Sequence, residues 1–126
     1  MQPADLRPAK GGLTVDLRQD TKEGVVVLDV IGRMDGSAAP LLQDRLTAVM
    51  AEPRARVLID LAKLDYISSA GFRILLLAAK RANETGCRFV LCGISGRVRQ
   101  LFDVGGFLEL FSIAGTREEG VAAAAG

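Results

Sequence analysis

Residues 57–76 read VLIDLAKLDYISSAGFRILL, and this stretch decides the fold. Its first five residues are apolar apart from Asp60, which predicts a short buried strand. From Ser69 onward the apolar residues return at helical spacing, which predicts a deeply packed helix. A strand that passes through a turn into a helix is the repeating unit of parallel α/β sheets. The segment therefore indicates an α/β fold with right-handed crossovers.

The rest of the chain repeats this alternation. A half-exposed run at 13–17 and a buried run at 25–31 predict an antiparallel hairpin, because only a short link separates them. Further strands are expected at 57–61, at 88–92 and within 107–113, and a helix is expected after every strand except the first. The predicted fold class is thus α/β: a single domain with a mixed, mostly parallel β-sheet of about five strands and about four helices packed on it.

Local signals mark the ends of these helices. Pro40 fits the first turn of the first helix, where a backbone amide has no partner in any case. Gly86 is expected to end the second helix, and Ser95 to cap the third. Residues 116–119, Thr-Arg-Glu-Glu, match a capping box that opens the last helix.

Length and composition place the chain among ordinary globular proteins. It has 126 residues, 49% of them hydrophobic and 25% charged, which is enough for one domain with its own core. Residues 1–12 are rich in proline, glycine and charge, and are expected to form a flexible leader before a domain at 13–126.

Charge and residue usage exclude several classes of function. With 16 basic and 15 acidic residues, the chain offers no electrostatic footprint for nucleic acid or for a membrane surface. It contains no histidine, the commonest general base and metal ligand, so neither an enzyme nor a metal or cofactor site is expected. Cys87 and Cys92 are five positions apart; if both lie on one strand, this odd spacing puts them on opposite faces, so they cannot bridge each other. Without a signal peptide or an apolar run near the roughly 18 residues of a membrane span, a cytoplasmic location is expected.

The paired serines at the start of the second helix are the candidate site. Sites in open α/β sheets lie at the carboxyl ends of the strands, and a helix N-terminus offers free amides and partial positive charge. A phosphate at this position would be stabilised by both. Serine is also the ordinary helix cap, so Ser68 or Ser69 could do no more than that.

The segment 64–76, LDYISSAGFRILL, resembles the phosphorylation-site motif of STAS domains, which include the bacterial anti-sigma factor antagonists. Three further segments resemble the same family in the same order: the turn at 32–35, the strand at 57–61, and residues 93–102 with 106–107. The resemblance covers about residues 13–114 and implies a STAS-like single domain.

The resemblance implies a switch based on partner binding. In such proteins the residue at the Ser69 position is phosphorylated by a partner that is both a serine kinase and an anti-sigma factor. The unmodified form binds that kinase and frees the sigma factor, and a PP2C-type phosphatase resets the switch. Many members have an acid before the acceptor serine, so Ser68 stands as an alternative acceptor; many also carry a second serine or threonine where this chain has Ala70. The expected partner-binding residues are Asp35, Asp65, Tyr66, Ser68, Ala70, Gly71, Phe72 and Arg73.

Other interpretations stay open at this point. Asp35, Asp60 and Asp65 could form an acidic cluster that places a kinase-bound magnesium, or Asp35 could cap the loop and Asp65 be solvated. The same fold could serve as a STAS adaptor subunit of a transport or signalling assembly that phosphorylation does not regulate. An enzyme is disfavoured, because no base is paired with a nucleophile. One small domain is expected to be a monomer.

Overall fold

A six-stranded sheet forms the centre of the structure, a computed structural model that describes residues 15–126. The predictions for residues 1–14 lie outside the described residues. The strands are β1 (Val15–Lys22), β2 (Val25–Met34), β3 (Arg56–Asp60), β4 (Leu64–Ile67), β5 (Arg88–Cys92) and β6 (Ser112–Ala114). The helices are α1 (Ala39–Val49), α2 (Ser69–Thr85), α3 (Gly96–Val104) and α4 (Arg117–Ala125).

The sheet is mixed and mostly parallel, as the sequence predicts. Its strand order is β1-β2-β3-β5-β6, with β1 antiparallel to β2 and the other pairings parallel. The β1–β2 hairpin closes through Glu23 and Gly24, which both have positive φ, at 53° and 79°. Two such residues form the tight turn that matches the right-handed twist of paired strands.

Strand β4 differs from the sequence prediction, which places only a turn between the strand at 57–61 and the helix that begins near Ser69. It pairs in parallel with the last residues of β2, from Gly32 to Met34, beyond the point at which β3 ends. Gly32 has a φ of 102°, and the pairing shifts register directly after it. A four-residue strand with only its two end residues buried is too short to show a reliable period.

The α3–β6 region also differs from expectation. Residues 107–113 contain a 3-10 turn at Leu108–Leu110, and the strand that follows is only three residues long. Ser95 occupies the N-cap of α3 but its side chain makes no capping hydrogen bond. The other end signals are confirmed: Gly86 ends α2 in the left-handed conformation, and Thr116 and Glu119 form the capping box of α4.

Apolar side chains fill both faces of the sheet. The larger cluster joins one face to α1, α2 and α3, and the smaller one joins the other face to α4. Cys87 packs against the larger cluster and Cys92 belongs to the smaller one, so the two thiols lie on opposite faces as predicted. Within residues 15–126, no helix is both long and apolar enough to cross a membrane.

Candidate functional site

The parallel ends of β2 and β4 bring the two loops of the candidate site together. Met34 and Ile67 are paired across these strands, and each is the last residue of its strand. The next residues are Asp35, which leads to α1, and Ser68, which leads to α2. The Ser68 amide donates a hydrogen bond of 2.8 Å to the Met34 carbonyl, which fixes the two loops side by side.

Ser68 is the N-cap of α2. Its backbone is extended (φ −86°, ψ 170°), and its hydroxyl oxygen accepts a hydrogen bond of 3.2 Å from the Gly71 amide. The Ser68 carbonyl accepts a further bond of 2.9 Å from the Phe72 amide. The ordinary capping interpretation therefore holds for Ser68, whose half-buried side chain satisfies one of the unpaired amides at the helix start.

Ser69 is the first residue of α2, and its side chain is exposed. Ala70 and Arg73 are exposed beside it on the same helix. The first turn carries no acidic side chain, so nothing on the helix itself offsets the partial positive charge at this end. A phosphate on Ser69 would meet amides and a helix dipole of favourable sign.

Asp35 organises the loop that faces Ser68. One of its carboxylate oxygens, Oδ1, accepts hydrogen bonds from the Ser37 amide (3.1 Å), the Ser37 hydroxyl (2.8 Å) and the Ala38 amide (3.0 Å). Of the two roles left open for Asp35, the capping of the loop before α1 is therefore present in the structure. The same contacts hold the carboxylate in a defined position within this loop.

Asp65 and Tyr66 lie on β4, the strand that leads directly into the two serines. The guanidinium of Arg33 lies over the Tyr66 ring, 4.5 Å from its centroid, and the two residues are cross-strand partners. Asp65 is exposed. Sequence reasoning did not identify Arg33, because its stacking depends on the pairing of β2 with β4, and that pairing was not expected.

Gly71 and Phe72 are buried, unlike the other predicted partner-binding residues. A Cβ atom on Gly71 would lie 2.7 Å from Cγ of Met34 and 2.8 Å from Cγ1 of Ile67, so only glycine lets α2 approach the strand ends this closely. The Phe72 ring stacks on Phe107 at a centroid distance of 4.4 Å. Both residues pack inside the domain and hold α2 against the strand ends.

Asp60 does not join Asp35 and Asp65. Its Oδ2 accepts a hydrogen bond of 2.9 Å from Arg117, whose same nitrogen, Nη1, donates to Asp29 at 2.6 Å. The bond to Asp29 raises the pKa of Arg117, which stays charged between the two acids. Within residues 15–126, no group of three or more acidic or thiol side chains could hold a metal ion. The predicted acidic cluster is therefore wrong for Asp60, which anchors α4.

Comparisons with known proteins agree on one family. The STAS domain model matches residues 16–120. The chain is 37% identical over 107 residues to BtrV of Bordetella bronchiseptica, a protein named as an anti-sigma factor antagonist; the match covers 85% of this chain and 92% of BtrV.

Two solved structures share the fold. One is an anti-sigma factor antagonist from Mycobacterium paratuberculosis, with a TM-score of 0.79 and 22% identity over 88% of this chain and 94% of that one. The other is the Bacillus cell fate determinant SpoIIAA in its phosphorylated form, with a TM-score of 0.64 and 18% identity over 84% of this chain and 96% of that one.

Proposed function

Because the chain belongs to the STAS domain family, we propose that it is an anti-sigma factor antagonist that exchanges partners through phosphorylation of Ser69. In this proposal the unphosphorylated protein binds an anti-sigma factor that is also its serine kinase. Phosphorylation releases that partner, and a PP2C-type phosphatase restores the free hydroxyl. The name of the Bordetella relative supports the antagonist function, and the phosphorylated form of SpoIIAA supports phosphorylation.

One observation carries the choice of Ser69. The two serines differ in what their hydroxyl groups contact: that of Ser68 caps α2, whereas the side chain of Ser69 is exposed. A kinase needs an acceptor hydroxyl that it can reach. Phosphorylation of Ser68 would first have to break the bond to the Gly71 amide and free a half-buried side chain. Ser69 requires neither change.

The physical mechanism is a local change of charge. A phosphate adds about −1.5 to −2 charges at neutral pH. The domain tolerates this charge, because the amides and the dipole of α2 stabilise an anion at the helix start. A partner packed against a neutral hydroxyl does not, because a buried unpaired charge or a like charge weakens binding by several kcal/mol, or orders of magnitude in affinity.

The proposed partner-binding surface surrounds Ser69. It consists of the exposed or half-exposed residues at the ends of β2 and β4 and in the first two turns of α2: Asp35, Asp65, Tyr66, Ala70 and Arg73. Ser68 contributes by holding the helix start in place. The proposal requires no cofactor and no catalytic residue in this chain.

The decisive experiment maps phosphate on the protein isolated from its native cells. Intact mass and peptide mapping are performed on the wild type, Ser68→Ala and Ser69→Ala, with circular dichroism to show that each variant is folded. We expect one phosphate in wild type and in Ser68→Ala, and none in Ser69→Ala. A phosphate that disappears only in Ser68→Ala would refute the choice of acceptor. No phosphate under any growth condition would refute the switch and leave an unregulated STAS adaptor.

A binding measurement tests the second half of the proposal. A kinase captured from the native cells on the unphosphorylated protein is titrated with the wild type, with Ser69→Asp and with Ser69→Ala as the uncharged control. We expect Ser69→Ala to bind like the wild type and Ser69→Asp to bind at least tenfold more weakly. Equal affinity of all three would exclude charge at residue 69 as the release signal.

A further inference from the structure

Arg73 lies one helical turn after Ser69 on the exposed side of α2. Residues four apart on a helix are neighbours, with Cβ atoms about 5 to 6 Å apart. Long side chains on a helix lean back toward its N-terminus, so the Arg73 side chain can reach the turn that contains Ser69. We infer that Arg73 is the counter-ion of phosphorylated Ser69, a positioning residue for the phosphate. This inference rests on the proposed function, and it concerns how that site works.

Among the described residues, no negative charge is paired with Arg73 in the unmodified protein. Within residues 15–126, Arg73 forms no ion pair, and the first turn of α2 contains no acidic residue. A cation close to a helix N-terminus also opposes the helix dipole, which favours anions at that end. A phosphate on Ser69 would supply a negative charge at this end of the helix. It would pair with the Arg73 guanidinium and interact favourably with the helix dipole.

A phosphate on Ser69 and the guanidinium of Arg73 would follow each other along the helix in the more stabilising order. In helices an acidic group four residues before a basic group stabilises more than the reverse order. Ser68 has no such neighbour, since the residue four positions after it is the buried Phe72. Arg73 therefore distinguishes the two serines independently of their exposure.

Other charged groups near Ser69 are already engaged or lie on other elements. The Asp35 carboxylate accepts hydrogen bonds from Ser37 and Ala38, and the Arg33 guanidinium lies over the Tyr66 ring. Asp65 is an exposed acid on β4. These groups are the same in all the variants below, so a difference between variants reports on Arg73.

Phosphorylation would alter two side chains on the proposed partner-binding surface, because the phosphate introduces negative charge and also occupies Arg73. An acidic side chain of the partner that pairs with Arg73 in the unmodified complex would lose that contact on phosphorylation.

The test places phosphoserine at position 69 of the full chain during translation, so that no kinase is needed. The second ionisation of the phosphate is followed by phosphorus NMR in the wild type, Arg73→Gln, Arg73→Lys and Arg81→Gln. Arg81→Gln removes the same charge from an exposed position three turns along α2. Titration at low and at high salt separates a specific pair from general screening.

We expect the phosphate in wild type to lose its second proton at a lower pH than in Arg73→Gln, by about 0.3 pH unit for a helical ion pair. Arg73→Lys should restore most of the difference, Arg81→Gln should titrate like the wild type, and high salt should reduce the effect. Identical titration of wild type and Arg73→Gln would overturn the inference and leave the proposed function standing. Absence of phosphate in native cells would remove the proposed function without changing this titration.

Discussion

Ser68 and Ser69 are adjacent in sequence but contribute differently to stability. The Ser68 hydroxyl oxygen accepts a hydrogen bond from the Gly71 amide, whereas the Ser69 side chain is exposed at the first helical position. Removal of an N-cap hydroxyl leaves a helix amide without its partner. Loss of an exposed hydroxyl inside the helix leaves no backbone group unpaired.

We therefore predict that Ser68→Ala lowers the free energy of unfolding by about 1 kcal/mol, the usual effect of losing a serine cap. Ser69→Ala is the matched control and should change stability by less than about 0.5 kcal/mol, as exposed substitutions generally do. Urea denaturation of both variants measures the difference. Equal stability of the two variants would show that the Ser68 cap contributes nothing in solution.

The buried thiol of Cys92 makes the stability of the folded protein depend on pH. Burial against α4, together with the nearby Asp60 carboxylate, raises the pKa of the Cys92 thiol from 9.0 to about 12. The unfolded chain loses this proton at lower pH than the folded protein does. The protonated Cys92 thiol therefore contributes its full share to the stability of the folded protein below about pH 9. This contribution is lost as the pH rises from 9 toward 12.

We predict that the free energy of unfolding falls more steeply with pH above 9 in the wild type than in Cys92→Ala. Cys87→Ala is the control, since it removes a thiol from the other face and leaves Cys92 in place. Denaturant unfolding between pH 8 and 10.5 provides the slopes. Parallel slopes for wild type and Cys92→Ala would contradict the assignment.

At the scale of elements, ion pairs and hydrogen bonds hold α4 to the sheet in addition to apolar contacts. Its buried residues are small: Gly120, Val121 and Ala124. At one end Arg117 bonds to Asp29 and Asp60, and at the other Arg88 of β5 donates to the carbonyls of Ala123 and Gly126, at 3.2 and 2.8 Å. Gly120 allows close approach, because a Cβ atom there would lie 2.6 Å from Cδ1 of Leu58.

We predict that Arg117→Met destabilises the protein by about 1 to 2 kcal/mol, between the effects of breaking an exposed and a buried ion pair. The reason is that Asp29 and the largely buried Asp60 lose their shared counter-ion. Hydrogen exchange of α4, followed by mass spectrometry, should show faster exchange there than in the rest of the domain. Arg99→Met, at an exposed position of α3, is the control; the same exchange of α4 in both variants would argue against the anchor.

At the scale of the whole molecule, helices cover both faces of the sheet and the candidate site lies at one end of it. The loops after β2 and β4 carry Asp35 and Ser68, and α2 begins there. The site is therefore built on strand ends and on the first turn of a packed helix. Phosphorylation of Ser69, as proposed, would require no rearrangement of the core, because the side chain is exposed.

We predict that the protein is a monomer that binds its partner through this end. Sedimentation equilibrium should give a mass of 13.4 kDa over a wide range of concentration. Ser69→Asp should give the same mass, because the substitution lies on the proposed surface for a different protein. A stable dimer would contradict the prediction.

The sequence by itself determined the local features. Periodicity predicted the hairpin, the buried strands and the four helices, and residue type predicted the ends at Gly86 and Thr116. The motif at 64–76 predicted a candidate site at the start of α2. These signals act over a few residues, through backbone hydrogen bonds, capping and the spacing of apolar side chains, so they can be recognised without the rest of the chain.

Only the tertiary structure decided how distant residues are combined. Strand β4 exists because β2 extends past β3, and that pairing places Asp35 beside Ser68 and Arg33 over Tyr66. Asp60 is joined to Arg117, 57 positions away, and not to Asp65 nearby in the chain. Such contacts depend on where two elements meet in space. The local sequence of one element does not indicate which other element it will contact. The different roles of Ser68 and Ser69 follow from this arrangement, because the packing of α2 on the strand ends sets which residue caps the helix.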